Sequence, residues 1–100
     1  MSGVGVGVLG LTLTASVAET ADRHPEFVGF VASAVASHFR GDWGDVDDHD
    51  RVANDDAAAE GREVISSWRL PDGVTGPDDH VWVVTAAGHE STVVLWPSER

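Results

Sequence analysis

The chain has no cysteine, no lysine and no tyrosine, and its single methionine is the first residue. Lack of cysteine excludes disulfides, thiolate metal sites and a cysteine nucleophile. Lack of lysine leaves six arginines against 17 aspartates and glutamates, a formal net charge of −11. A field of that sign repels nucleic-acid phosphates, so no direct nucleic-acid binding is expected. Arginine without lysine suits a GC-rich genome, and an aspartate excess suits a salt-adapted host. The same charge also fits an acidic DNA mimic of the anti-restriction kind, but nothing arranges the carboxylates with duplex spacing. No apolar run reaches the roughly 18 residues that a membrane span requires, so a cytoplasmic protein without membrane attachment is expected.

What is present is ordinary for a folded domain, with 42% apolar and 23% charged residues. One hundred residues give room for a single domain that buries roughly 65% of its unfolded surface. No linker or internal repeat divides it. Residues 1–10 alternate glycine and valine without a positive leader, which fits a flexible lead-in or a strand better than a secretory signal.

The periodicities predict an α+β fold: two main helices packed on a three- to four-stranded antiparallel sheet ending in a C-terminal β-meander. Residues 4–14 read as an edge strand, followed by a short helical turn through Ala21 capped by Thr14 or Ser16. His24-Pro25 resets the chain. Phe27, Phe30, Val31, Ala34, Val35 and His38 then form one apolar stripe at helical period, which predicts a helix over 26–39 ended by Gly41. A second helix is expected from near Asp47 to Glu60. Three acidic residues lie in its first turn, and Gly61 supplies a left-handed stop. Segments 63–70, 80–85 and 91–96 read as strands, separated by the breaker-rich stretch 71–79 and a hairpin around Gly88.

Sequence parity groups Trp68, Trp82, Val84, Val94 and Trp96 on one sheet face, and Val81, Val83, Val93 and Leu95 on the other. Both faces are apolar. One takes the helices, and the N-terminal strand or a second copy of the chain is expected to cover the other. Trp43, Trp68, Trp82 and Trp96 are accordingly the candidate interaction residues, for an unknown protein partner or a homodimer. Trp43 and Trp82, with Arg40, Arg51 and Arg69, also have the chemistry to stack on a base or a flat ligand.

Catalytic signals are sparse. Asp42, Asp45 and Asp50 crowd one loop, where hard cations such as Mg²⁺ or Ca²⁺ prefer oxygen ligands. With His49 as base, they define a metal-dependent hydrolase or nuclease as the alternative reading. The spacing is not that of an EF-hand, and helix capping explains the same residues. The five histidines show no zinc-type pairing, and His38, on the apolar stripe, reads as a hydrogen-bonded boundary residue. No serine sits in a nucleophile elbow. Gly3, Gly5 and Gly7 lack dinucleotide-fingerprint spacing. No catalytic residue and no cofactor is assigned from sequence.

The run His38-Phe39-Arg40-Gly41-Asp42-Trp43-Gly44-Asp45, followed by Asn54-Asp55, Gly61–Trp68, Val81–Thr85 and Ser91–Glu99, resembles a family of short plasmid- and phage-borne proteins. They are described as hypothetical or plasmid-related. Some carry the label type I restriction enzyme subunit M, which their size contradicts, since no methyltransferase domain fits. The resemblance covers about residues 11–99 and implies helix, acidic Trp turn, helix and β-meander. It carries no activity with it. Where the family has an acidic residue and an Asp-Arg pair after the Trp-containing strand, this chain has Ala86-Ala87-Gly88-His89-Glu90. If that pair had a catalytic role, it has been lost here. The main functional expectation is a small acidic accessory protein of a mobile element or its host, acting by protein–protein contact.

Overall fold

Pro25 divides the helical half of the molecule. In the computed structural model, which describes residues 10–100, helix α1 spans Ala15–Arg23 and ends at His24. A residue before proline is pushed out of helical geometry, which accounts for the break. Thr14 caps α1 by accepting from the Val17 N–H at 3.3 Å. Helix α2, Pro25–Phe39, starts on the proline itself, whose missing N–H would have had no helical partner. Helix α3, Asp48–Glu60, is capped by the Asp47 carboxylate, which accepts from the Asp50 N–H at 2.8 Å. It stops at Gly61, whose φ of 73° is left-handed. The first of these is a full nine-residue helix rather than the expected short turn, so the described residues hold three α-helices instead of two and a turn.

The strands are β1, Leu11–Leu13; β2, Val64–Arg69; β3, His80–Thr85; and β4, Thr92–Leu95. A 3₁₀ turn, Pro97–Glu99, follows. The sheet order is β1-β4-β3-β2. β2, β3 and β4 form the antiparallel meander, but β1 runs parallel to β4. The sheet is therefore mixed, which corrects the antiparallel expectation. The physical reason is the connection: α1, α2 and α3 all lie between β1 and the meander, so β1 is not tied to β4 by a tight turn. The part of the expected N-terminal strand at 4–9 lies outside the described residues. Its described part joins the sheet edge instead of covering a face.

Cross-strand register decides which residues share a face. Trp68 pairs with Val81, Ser66 with Val83, and Val83 with Val94, so these point toward α1 and α2. Ser67 pairs with Trp82, and Trp82 with Leu95, so these take the opposite face. The expected grouping of Trp68 with Trp82 is thus wrong. Residue numbers alone give parity within a strand, whereas the offset between strands is set by the connecting loops.

The core lies between that first face and α1 plus α2. It holds Val17, Phe27, Val31, Ala34, Val35, Val81, Val83, Val94 and Trp96. Phe27 and Trp96 stack with ring centres 5.8 Å apart and planes 9° from parallel. Truncating either to alanine would cost roughly 3–5 kcal/mol. Val74 folds onto this core from the 71–79 loop, and Gly76 lies so close to Trp96 that an added Cβ would stand 2.6 Å from the indole. Helix α3 is different: of its residues only Ala57 is buried.

Candidate functional site

The Gly-Asp-Trp-Gly-Asp run and the Asn-Asp pair of α3 meet along the outer edge of β2. An unprotected edge strand offers its free N–H and C=O groups to any other extended chain. Here they are taken. The Ser67 N–H donates to the Trp43 carbonyl at 3.1 Å, and the Ser67 carbonyl accepts from the Asp45 N–H at 2.7 Å. The Asp45 carboxylate accepts from the Arg69 N–H at 2.9 Å. Asn54 imitates a neighbouring strand, donating to the Ile65 carbonyl at 2.8 Å and accepting from the Ile65 N–H at 3.3 Å.

The other motif residues hold this clamp in shape. Asp42 accepts from the Gly44 N–H at 3.0 Å, closing the turn. Gly44 has φ of 71°, and a Cβ there would stand 2.3 Å from the Ser67 carbonyl oxygen and 2.9 Å from the Trp68 ring. Only glycine fits. The Trp43 indole is buried against Ala57 and Val64 and donates to Asp55 at 2.9 Å, tying the loop to α3.

Behind Trp43 lies a buried polar chain. The Trp68 indole donates to Ser66 Oγ at 2.7 Å, because an indole nitrogen can only donate. Ser66 Oγ stands 2.7 Å from His38 Nδ1, and His38 Nε2 stands 2.8 Å from Thr85 Oγ1. Thr85 Oγ1 is in turn 2.8 Å from Thr92 Oγ1. Ser66 Oγ keeps a second lone pair beside the one that accepts from Trp68, so the directions of the bonds through His38 follow the tautomer of its ring. Burial, and secondarily the charge of His89, lowers the His38 pKa from 6.5 to about 4. Ser66 is fully buried, so it has no access to a substrate as a nucleophile.

Two clefts open beside the clamp. The first, of about 490 Å³, lies between the end of α2 and α3 and is lined by Phe39, Arg40, Trp43, Asp55 and His89, with His38 in its wall. The second, of about 530 Å³, lies on the sheet face away from α1 and α2. Asp45, Asp47 and Asp50 line it together with Ile65 and Trp82, and no arginine does.

The expected site residues are dispersed by this arrangement. Asp42 and Asp45 serve backbone N–H groups, while Asp50 and His49 are exposed on the first turn of α3. Asp45 and Asp50 share the second cleft, which Asp42 does not line. Among the described residues, no group of three or more histidines and carboxylates is placed to hold a metal ion. Of the four candidate interaction tryptophans, Trp96 and Trp43 are buried in the core, and Trp68 packs on it while serving Ser66. Trp82 is half-buried, as Trp68 is, but faces a cleft away from the main core. Sequence reasoning missed Ser66, Thr85 and Thr92. The available signal was their place on the same side of their strands as the core valines.

Compared with known proteins, the chain matches no protein-family model, no curated protein and no solved structure. Among the described residues no helix is long and apolar enough to cross a membrane.

Proposed function

We propose that this is an accessory protein that works by protein–protein contact, and that it receives a basic segment of its partner in the cleft around Trp82. The observation that carries this reading is the placement of a half-buried indole beside three carboxylates, in a cleft lined by no arginine. An arginine or lysine side chain satisfies both features at once, stacking its cation on the ring while pairing with a carboxylate. The net charge of −11 steers such a partner toward the molecule and repels acidic competitors. The resemblance to short plasmid- and phage-borne proteins adds a mobile element or its host as the setting.

The test keeps the fold and removes the chemistry. Asp47→Ser preserves the helix cap, Asp50→Asn removes an exposed charge, and Trp82→Thr leaves a residue suited to a strand. Affinity capture from the native host, compared between the wild type and this triple variant, should retain proteins with basic segments only on the wild type. Identical retention by both overturns the site. Light scattering on the purified chain separates self-association from a foreign partner: a dimer that survives the triple variant would place the interface elsewhere.

A further inference from the structure

The other cleft, between the end of α2 and α3, shares no lining residue with the one around Trp82. We propose that this cleft binds a small planar aromatic monocarboxylate. Its volume of about 490 Å³ lies within the range of small-molecule sites, about 300–1,000 Å³. One wall is Phe39, the last residue of α2, which lies off the buried stripe and is 53% exposed. The Trp43 ring, Ala58 and Val64 supply further apolar lining. A flat ring entering here covers Phe39 without displacing core residues.

Arg40 supplies the charge. Arg51, Arg62, Arg69 and Arg100 each pair with a carboxylate. Among the described residues Arg23 and Arg40 have none within 4 Å, in a chain with 17 acidic residues, and of these two only Arg40 lines the cleft. Its guanidinium donates through one nitrogen to Ser37 Oγ at 3.1 Å. The rest of its planar fork remains free, and that geometry matches a carboxylate. His38, buried and neutral, contributes no competing cation from the floor. Asp55 also lines the cleft, with Oδ1 engaged by the Trp43 indole. Its negative charge disfavours dianions, so the site selects a single carboxylate.

The opposite lip holds His89 in a left-handed backbone conformation with φ of 59°, rare for a residue other than glycine. Its ring Nε2 donates to the Arg62 carbonyl at 2.8 Å. Strain of this kind persists where surrounding structure holds a side chain in place. Here that side chain borders the proposed ligand.

The experiment is an amide-correlation NMR titration of the whole ¹⁵N-labelled chain with 2-naphthoate, at physiological ionic strength to screen the molecule's negative field. The uncharged isostere 2-naphthamide is run alongside. Saturable shifts are expected at the Trp43 indole N–H, Gly41 and His89, with at least tenfold weaker binding of the amide. Arg40→Gln should weaken naphthoate at least tenfold and leave the amide unchanged, and Phe39→Ser should weaken both. Both positions are exposed, so the variants fold. Absence of saturable shifts at millimolar naphthoate overturns the proposal. So does equal binding of acid and amide, or a response confined to residues around Trp82.

Discussion

The carboxamide of Asn54 spans the backbone of Ile65, donating to its carbonyl at 2.8 Å and accepting from its N–H at 3.3 Å. One side chain of α3 thereby stands in for a fifth strand. Helix α3 buries only Ala57, so its attachment depends on this clasp and on the bond between Trp43 and Asp55 more than on apolar area.

Asn54→Ala should therefore do two things. It removes both hydrogen bonds from a partly buried edge, costing roughly 1–3 kcal/mol in a chemical denaturation series. It also exposes the Ile65 portion of β2 to other chains, so concentration-dependent association should appear by light scattering. A variant that loses stability but stays monomeric at high concentration would show that Trp43 and Asp45 close the edge unaided.

Two glycines should respond with opposite signs. Gly44→Ala forces a Cβ into the Ser67 carbonyl and the Trp68 ring from a left-handed backbone, a loss of at least about 2 kcal/mol. Gly29 lies on the exposed side of α2 with nothing within 4 Å of an added Cβ. Gly29→Ala should gain roughly 0.5–1 kcal/mol through helix propensity. Thermal denaturation of the two variants checks both directions in one assay.

Acid should weaken the fold through His38. The folded ring stays neutral down to about pH 4, while the unfolded ring takes up a proton near 6.5. Between these values the unfolded state binds more protons, so stability falls as pH falls through that window. The full contribution is present above pH 6.5, and its loss amounts to roughly 3 kcal/mol at most. His38→Gln should flatten this part of the pH–stability curve. Asp79 contributes in a different window: its hydrogen bond to His80 holds its carboxyl below the usual range, so its effect appears only in stronger acid. A His38→Gln profile parallel to that of the wild type from pH 7 to 4 would remove the buried-imidazole account.

Trp82→Thr should leave the main core intact, because Trp82 lies on the face opposite Phe27 and Trp96. The expected change in unfolding free energy is smaller than the roughly 3–5 kcal/mol for truncating a core aromatic. Urea denaturation of Trp82→Thr beside Trp96→Ala measures the difference. Equal losses would make Trp82 a structural residue and remove the partner cleft.

The sequence by itself determined α2, α3 and the strands of the meander, and marked α1 only as a short turn. Phe27, Val31, Ala34, Val35 and His38 repeat at helical spacing, Pro25 and Gly61 mark local boundaries, and strand alternation is a short-range pattern. These are properties of neighbours along the chain, so they are legible without coordinates. Capping by Thr14 and Asp47 belongs to the same class. Tertiary structure alone decided that β1 runs parallel to β4, that Trp68 and Trp82 face opposite ways, and that Asp45 and Asn54 guard β2 from two separate elements. It also decided that His38, Ser66, Thr85 and Thr92 join across four elements into one hydrogen-bonded chain. Register, strand direction and long-range pairing depend on how loops close and which surfaces exclude water together, and no local run of residues encodes those distances.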